Sequence, residues 1–314
     1  MTKRILITGS SGCIGHYITE LLIQKTDYEL FLIVRNINKL GFNFKARSGI
    51  HILQTDLREI EQYSELFKTI NIAILAATSW GGKPEVFDVN IESTLKILSA
   101  LDSATCEQIL YFSTASVLGR NNKLLPEAGE IGTDYIQSKY NCLQQILQRS
   151  DQLPPLRILY PTLVFGGEQN KPVSHLSSGI SEVTKWINLI RWFKAKASFH
   201  FIHGADIAQV VKFLIEQSVP PNQVEHLVLG NDPITLNEAI EEVCAFYQKR
   251  IYFRFNLTPW LINFFIVLFR VQMADWDRFC LDYRHFTYQN LVNPSQFNQV
   301  GYYPMLTDIL KSTY

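Results

Sequence analysis

Short apolar runs rich in β-branched residues alternate with amphipathic stretches over the first 160 residues. The runs end in small or polar residues, which is typical of strands buried on both faces of a parallel sheet. They lie at 5–7, 29–34, 51–55, 71–77, 107–113 and 156–160. Apolar residues recur at helical spacing between them, at 14–25, 84–101 and 134–149. This alternation predicts an α/β fold built on a doubly wound parallel sheet.

Beyond residue 167 the alternation loosens. Helical patterns cover 181–194, 205–216 and 235–249, and strand patterns cover 199–202 and 223–229. Neither an internal repeat nor a low-complexity linker marks a boundary. We therefore expect residues 168–314 to form a smaller, mostly helical C-terminal lobe that is partly interleaved with the sheet of residues 1–167.

An apolar stretch at 259–269 raises the question of a membrane. It is about half as long as the roughly 20 residues that span a bilayer, so we expect no integral membrane segment. We expect a buried helix of the C-terminal lobe there. The alternatives are a wall of a substrate pocket and a shallow contact with a membrane.

A glycine turn follows the first strand and precedes the first helix. Gly9 allows the tight turn, Gly12 lets backbone N–H groups approach a phosphate, and Gly15 lets the helix lie close to the strand. Ser11, Cys13 and Ile14 complete the turn at the helix N-terminus, where unpaired donors favour an anion. Such spacing also occurs in ordinary turns. Its place directly after a strand predicts a dinucleotide-binding, Rossmann-type domain over residues 1–167.

The residues after the next strands predict which dinucleotide binds. Arg35 stands where an acidic residue would accept hydrogen bonds from a ribose, and its guanidinium suits a 2′-phosphate. We therefore favour NADP(H) over NAD(H); the alternative is that Arg35 stacks on the adenine or faces solvent. Asp56 and Leu57 could contact the adenine, although Asp56 could equally cap the next helix. The small residues Ala76 and Ala77, with Pro161 after the sixth strand, would lie near the cofactor.

A tyrosine and a lysine one helical turn apart carry the candidate chemistry. Tyr135 and Lys139 share a helix face, and Thr114 follows the fifth strand, where ligands of open parallel sheets bind. The phenol of Tyr135 would move a proton to or from a substrate oxygen that Thr114 holds. A free tyrosine titrates at about 10, so we expect the Lys139 ammonium, together with the positive nicotinamide of an oxidised cofactor, to lower its pKa. Lys139 would also donate a hydrogen bond to the nicotinamide ribose. The alternative is a surface Tyr and Lys with a structural Thr.

Composition excludes several other classes. The formal net charge is zero and 18% of residues are charged, so nothing indicates a nucleic-acid partner. The five cysteines have no paired spacing and no His/Cys/Asp cluster has metal-ligand spacing. We expect reduced thiols, no metal and a cytoplasmic location. With the first strand starting at Lys3, we expect no signal peptide.

Over residues 3–250 the chain resembles the extended branch of the short-chain dehydrogenase/reductase family, of the NAD-dependent epimerase/dehydratase type. The resemblance rests on the segments 8–15, 56–57, 75–77, 113–119 and 201–206, on Asn90, and on the Tyr135/Lys139 pair. It implies that Thr114, Tyr135 and Lys139 are catalytic. It also implies that the C-terminal lobe binds a small-molecule substrate and that homodimers form through two helices of each subunit.

Departures from the family pattern narrow the expected reaction. Dehydratases of this type carry an Asp-Glu pair where this chain has Ala115 and Ser116, so we expect no dehydration. The arginine that sugar-nucleotide epimerases carry before the segment 201–206 is missing, although Arg191 or Arg254 could substitute. The segments 34–36 and 160–166 resemble those of ketone reductases in the same branch.

These observations lead us to expect an NAD(P)-dependent oxidoreductase that interconverts a ketone and a secondary alcohol on a hydrophobic small molecule. A nucleotide-sugar epimerase that uses the same residues is the first alternative. A non-catalytic NADP(H)-sensing protein is the second. Sensors of this kind usually lose the tyrosine or the lysine, so the intact pair argues against that alternative.

Overall fold

A parallel sheet forms the centre of the molecule. The computed structural model describes residues 2–168, 170–220, 223–268, 270 and 272–313. Within these residues the strands are β1 (Arg4–Thr8), β2 (Glu29–Val34), β3 (Ile50–Gln54), β4 (Ile72–Leu75), β5 (Gln108–Phe112), β6 (Leu156–Pro161), β7 (Leu163–Phe165), β8 (Phe193–Lys194), β9 (Ser198–Phe199), β10 (Phe201–His203), β11 (Val224–Leu229), β12 (Ile234–Thr235), β13 (Phe255–Asn256) and β14 (Leu291–Val292). In the described chain, eight of them form one sheet in the order β14-β11-β6-β5-β4-β1-β2-β3. Every neighbouring pair in it is parallel.

Helices cover both faces of this sheet. The α-helices are α1 (Cys13–Lys25), α2 (Ser64–Phe67), α3 (Lys83–Phe87), α4 (Thr94–Ala100), α5 (Pro126–Glu130), α6 (Asp134–Leu147), α7 (His175–Ile190), α8 (Gly204–Ile215), α9 (Leu236–Phe246), α10 (Pro259–Leu268), α11 (Asp275–Tyr283) and α12 (Leu306–Thr313). Apolar residues of α1 and α8 pack on one face of the sheet. Those of α4 and α6 pack on the other. The expected doubly wound α/β fold is therefore confirmed.

The C-terminal part of the chain contributes to the sheet and also builds a separate core. β11 and β14 extend the sheet beyond β6. Apolar residues of α7, α9 and α12 pack together in a smaller core cluster. The helix expected at 181–194 begins earlier, at His175, because the Ser174 hydroxyl accepts a hydrogen bond from the Ser177 N–H and caps its first turn.

Two helical predictions differ from the structure. The helix expected at 84–101 is divided by a π-helical turn, Asp88–Ser93, that lies between α3 and α4. The stretch 259–269 is helical as α10, with residue 269 outside the described residues, but the expected burial is wrong. Trp260 is 73% exposed and Val267 is 76% exposed. An apolar pattern predicts a helix, whereas burial needs a partner surface, and the core clusters of the described chain close without α10.

Among the described residues, none of the helices combines the length and the hydrophobicity that crossing a membrane requires.

Candidate active site

The glycine turn is packed tightly against the end of β4. Gly9 has a backbone φ of +81°, which residues with a side chain rarely adopt. A Cβ there would lie 2.7 Å from the backbone of Ala76 and Ala77. A Cβ on Gly15 would lie 2.1 Å from the Gly9 carbonyl oxygen. The turn therefore requires glycine at both positions, and Ala76 and Ala77 lie directly beside it.

The start of α1 suits a bound diphosphate. A Cβ on Gly12 would meet only the Gly9 oxygen, at 3.3 Å, so the outer side of the turn is open. Among the described residues, no side chain caps the N-terminus of α1, which leaves donors for an anion. Burial raises the pKa of Cys13 to about 12, so its thiol stays neutral beside the turn. Ser11 and Ile14 are half-buried in the same turn.

Arg35 lies at the end of β2, where a ribose phosphate would bind. Its side chain is 60% exposed, 3.3 Å from a Glu85 oxygen and 3.9 Å from an Asp56 oxygen. Asp56 accepts the backbone N–H of Arg58 and caps the 3₁₀ helix that begins at Leu57, as one of its two expected roles requires. Hydrogen bonds from the Arg58 guanidinium lower the pKa of the Asp56 carboxyl. Arg58, which the sequence analysis did not select, thus adds a second cation here.

Thr114, Tyr135 and Lys139 converge where β5 ends. The Thr114 hydroxyl lies near the Tyr135 phenol and lowers the pKa of that phenol. The Ser116 N–H donates to the Thr114 oxygen at 3.3 Å, which leaves the Thr114 hydroxyl proton available for donation. Lys139 is buried, and its ammonium donates to the Phe112 carbonyl at 2.8 Å. The structure therefore brings the three expected residues together at the carboxyl edge of the sheet.

Burial changes the pKa of both titratable groups. It raises the pKa of Tyr135 to about 12, while the neighbouring Thr114 hydroxyl favours the phenolate. It lowers the pKa of Lys139 to about 8, because a buried ammonium loses hydration. The Lys139 ammonium points to the Phe112 carbonyl. The lowering of the Tyr135 pKa by Lys139 together with an oxidised nicotinamide stays a prediction.

A buried amide connects the tyrosine helix to the loop after β4. Asn90 lies in the π-helical turn; its oxygen accepts the Ser79 N–H at 2.8 Å and its nitrogen donates to the Ser138 hydroxyl at 2.9 Å. Ser138 in turn donates to the Tyr135 carbonyl at 2.7 Å. Asn90 is one of the residues on which the family resemblance rests. The π-helical turn in which it lies was not predicted, because the extra residue of such a turn gives no pattern that we recognised in the sequence.

Two aromatic residues that the sequence analysis missed cover Tyr135. The Trp80 ring stacks on the Tyr135 ring with centroids 3.7 Å apart and planes inclined by 17°. His175, the first residue of α7, stacks on Trp80 at 5.0 Å. Trp80 is 55% exposed, so this stack lies at the surface of the site. An isolated tryptophan in a loop gives no periodic signal, and only the tertiary fold brings it to Tyr135.

The other candidates have mainly structural contacts. Pro161 is buried at the carboxyl end of β6, next to β5 in the sheet. His16 is buried and accepts the Gly41 N–H at 3.1 Å. The side chain of His203 accepts the Ala205 N–H and caps α8. Arg191 donates to the Arg250 carbonyl and Arg254 pairs with Glu241 at 2.7 Å, so both are engaged away from the tyrosine.

Comparison with curated proteins identifies distant relatives. One is the N-acetyl-alpha-D-glucosaminyl-diphospho-ditrans,octacis-undecaprenol 4-epimerase of Escherichia coli O157:H7, 21% identical over 264 residues, which are 80% of this chain and 74% of that protein. Another is the 3 beta-hydroxysteroid dehydrogenase/Delta 5-->4-isomerase of Monkeypox virus, 24% identical over 152 residues, 47% of this chain and 44% of that protein.

Solved structures share the fold. A UDP-glucuronic acid 4-epimerase of Bacillus cereus, solved with NAD and a fluorinated UDP-sugar, superposes with a TM-score of 0.64 at 15% identity, covering 99% of this chain and 98% of that one. The model of the NAD dependent epimerase/dehydratase family matches residues 5–230, well over half of the chain. The protein therefore belongs to the NAD-dependent epimerase/dehydratase family, the extended type of short-chain dehydrogenase/reductase.

Proposed function

We propose that the protein interconverts a ketone and a secondary alcohol on a hydrophobic small molecule, with Tyr135 as the general acid and base. The observation that carries the proposal is the convergence of Thr114, Tyr135 and Lys139 at the carboxyl end of β5, where Thr114 lowers the pKa of the Tyr135 phenol and Lys139 lies one helical turn away. Ala115 and Ser116, in place of an acidic pair, favour this reaction over dehydration.

The cofactor site supports the same reaction. The open side of Gly12 and the uncapped start of α1 fit a dinucleotide diphosphate, and Arg35 fits the adenosine end. A nicotinamide cofactor bound there supplies the hydride acceptor or donor. Lys139 lies at the edge of the sheet where the nicotinamide ribose would lie, and it would donate a hydrogen bond to that ribose.

Tyr135 and Thr114 would carry out the proton transfer to and from the substrate oxygen. In reduction, Tyr135 donates its phenolic proton to the substrate oxygen while the Thr114 hydroxyl orients that oxygen. In oxidation, the phenolate accepts the proton, and the neighbouring Thr114 hydroxyl favours that charged form. The pKa of Lys139, near 8, allows this amine to exchange a proton at mildly alkaline pH.

The stack over Tyr135 favours an apolar or ring-bearing substrate. Trp80 is 55% exposed and stacks on Tyr135 and on His175, which places aromatic surface beside the reacting phenol. Aromatic surface of this kind packs against flat or aliphatic rings. We therefore expect Trp80 to contribute to the selection of substrates.

The Tyr135→Phe variant tests the proton role. It removes the phenolic hydroxyl and keeps the ring that Trp80 stacks on, so we expect turnover to fall about 10²- to 10⁴-fold while cofactor affinity stays nearly constant. Tyr140→Phe is the matched control, because Tyr140 is half-buried on the same helix and its hydroxyl only accepts from Gln144. Unchanged turnover in Tyr135→Phe would refute the mechanism.

We further propose a preference for NADP(H) over NAD(H), supported by the exposed guanidinium of Arg35 and the neighbouring Arg58. A 2′-phosphate would replace Glu85 as the partner of Arg35. We expect Arg35→Ala to weaken NADP⁺ about tenfold or more and to leave NAD⁺ nearly unchanged in calorimetric titrations. The exposed Arg120, changed to Ala, serves as the control. Equal affinities of the unmodified protein for NADP⁺ and NAD⁺ would refute the preference.

A nucleotide-sugar or related 4-epimerase is the second candidate. It is favoured by the 264-residue alignment with the Escherichia coli epimerase, which covers more of this chain than the alignment with the steroid enzyme. The same Tyr135 would serve an oxidation followed by a reduction. Arg191 and Arg254, the expected substitutes for a diphosphate-binding arginine, contact the Arg250 carbonyl and Glu241, and a diphosphate would have to replace these partners. NAD that copurifies with the protein, and protection by UDP-sugars, would favour the epimerase.

The other expectations stay predictions. They are the division into a cofactor-binding domain (1–167) and a substrate-binding lobe (168–314), the homodimer and the cytoplasmic location. Limited proteolysis near residue 167 and sedimentation analysis of the full chain would test the first two.

A further inference from the structure

The C-terminal lobe carries an apolar surface that the rest of the described chain leaves uncovered. In α10, whose sequence contains no charged residue, Trp260, Phe264, Val267 and Leu268 are 73%, 47%, 76% and 57% exposed. A helix that is apolar on all sides is normally buried in a protein core or in lipid. α10 is therefore a helix without the environment that its composition requires.

Exposed aromatic residues extend this surface toward the end of α7. Tyr252, Phe253 and Phe255, in the strand region before α10, are each more than half exposed. This segment pairs with β8, since the Phe255 N–H donates to the Trp192 carbonyl at 2.7 Å. β8 directly follows α7, whose last two turns expose Trp186 and Leu189. We call these residues together with α10 the α10 surface.

Basic residues predominate in the segments that carry the α10 surface. The segments 185–200 and 249–274, which lie between Glu182 and Asp275, contain eight Lys and Arg residues and no Asp or Glu, in a chain whose total formal charge is zero. Six of the eight are exposed: Lys185, Lys194, Lys196, Lys249, Arg250 and Arg270. Glu241 of α9 neutralises Arg254 at 2.7 Å, and acidic residues resume only at Asp275. The surface is thus apolar and aromatic in part and cationic in part.

We propose that the α10 surface docks the protein onto an anionic phospholipid bilayer, with α10 lying in the plane of the interface. A helix of ten residues is about 15 Å long, half of a hydrocarbon core of about 30 Å. It is therefore too short to cross the bilayer, which is consistent with an orientation in the plane of the interface. Trp and Tyr are favoured at the headgroup level. Basic residues add attraction to anionic headgroups, and the two contributions together give stable docking where one is marginal.

The charge pattern argues against a second copy as the occupant. Two α10 surfaces placed face to face would bring the six exposed basic residues of each copy together, and these charges repel one another. A bilayer that contains anionic lipid supplies both the hydrocarbon for α10 and the counter-charge for the lysines and arginines. The one polar side chain of α10, Asn263, offers little for specific recognition of a folded protein.

Sedimentation of the full chain with vesicles tests the proposal. The probe is a vesicle of phosphatidylcholine with about one third phosphatidylglycerol, compared with phosphatidylcholine alone. We expect the protein to bind the anionic vesicles, to bind neutral ones much more weakly, and to be released by salt. Val267→Glu should lower binding about tenfold or more, because it places a negative charge in the hydrocarbon region. Lys194→Glu should lower binding about tenfold by reversing one charge.

Matched controls separate the surface from a general effect of charge. Val300 is 88% exposed but lies outside the α10 surface, so Val300→Glu should bind like the unmodified protein. Lys123→Glu is the corresponding control for Lys194→Glu, since Lys123 is exposed and is distant in sequence from both basic segments. Circular dichroism should show every variant folded.

Three results would overturn the proposal. They are a protein that stays in the supernatant with anionic vesicles, binding that Val267→Glu and Val300→Glu reduce equally, and a dimer in solution that Val267→Glu alone dissociates. The last result would assign the α10 surface to a second copy. None of these readouts depends on catalysis, so the docking proposal stands or fails independently of the proposed function.

Discussion

The turn at residues 9–15 and the helix α10 differ in how completely the fold encloses them. Backbone atoms of Gly9, Ala76 and Ala77 surround the turn so closely that a Cβ at Gly9 or Gly15 would overlap them. α10, in contrast, exposes most of its apolar side chains. Close packing on its inner side fixes the backbone conformation of the turn, as the binding of a cofactor in one geometry would require. An apolar helix left exposed indicates an environment that the chain itself does not supply.

The largest expected effect comes from filling the enclosed turn. Gly15→Ala would place a methyl group 2.1 Å from the Gly9 oxygen, so we expect it to lose about 3 kcal/mol of unfolding free energy or more, together with cofactor binding. Gly179→Ala is the control, since a Cβ there meets nothing within 4 Å. In helix α7 it should add up to about 1 kcal/mol. Equal effects of the two substitutions in chemical denaturation would contradict the enclosure of the turn.

The second largest expected effect is a dependence of the unfolding free energy on pH, which arises from the buried His203. His203 is buried against Tyr17 of α1, and burial lowers its pKa to about 4. The unfolded chain binds this proton near pH 6.5 and the folded chain only near 4, so stability falls as the pH drops through that window. The loss from His203 amounts to about 2 kcal/mol by pH 5.

The His203→Asn variant isolates this contribution. Asparagine keeps an acceptor for the Ala205 N–H but does not titrate. Asp206, whose pKa burial raises to about 6, titrates in both proteins and cancels from the comparison. We expect the fall in unfolding free energy between pH 6.5 and 5 to be smaller in the variant. Parallel pH profiles would show that His203 is not a buried neutral imidazole.

The smallest expected effect is on α10. Val267→Ala removes two methyl groups from a residue that is 76% exposed, so we expect the unfolding free energy to change by less than about 0.5 kcal/mol. The same substitution at the fully buried Val211 should cost about 2 kcal/mol, because it leaves a cavity. A comparable loss at Val267 would mean that α10 is packed within the chain and would remove the basis of the α10 surface.

The structural features that could be predicted from sequence are those that local chemistry decides. Runs such as 29–34 and 156–160 form strands because they are mostly apolar over the length of a strand, and both fit the sheet within a residue. The turn at Gly9 was predictable because its constraint lies within a few residues. Tyr135 and Lys139 were predictable because a helix places residues four apart on one face.

The remaining features depend on contacts between distant residues. Trp80 reaches Tyr135 only because α3, which follows the loop of Trp80, packs against α6, and His175 reaches Trp80 from α7. The π turn that holds Asn90 also gave no signal in the sequence. The exposure of α10 could not be predicted because periodicity indicates which residues prefer burial and not whether a partner covers them.

Helix α7 connects the two proposals. Its first residue, His175, belongs to the aromatic stack over Tyr135, and its last turns belong to the α10 surface. At 16 residues it extends about 24 Å from one to the other. An apolar substrate that partitions into a bilayer would thus be concentrated within one helix length of the reacting phenol.

The stoichiometry of cofactor turnover tests the role of Tyr135 in net ketone reduction most directly. Reduced cofactor is incubated with a panel of apolar ketones, and its oxidation and the alcohol formed are both measured. We predict that cofactor oxidation and alcohol formation are equimolar, and that both are lost in Tyr135→Phe and retained in Tyr140→Phe. A cofactor whose redox state stays constant with every ketone, while a nucleotide-linked sugar changes configuration, would contradict net reduction and establish the epimerase instead.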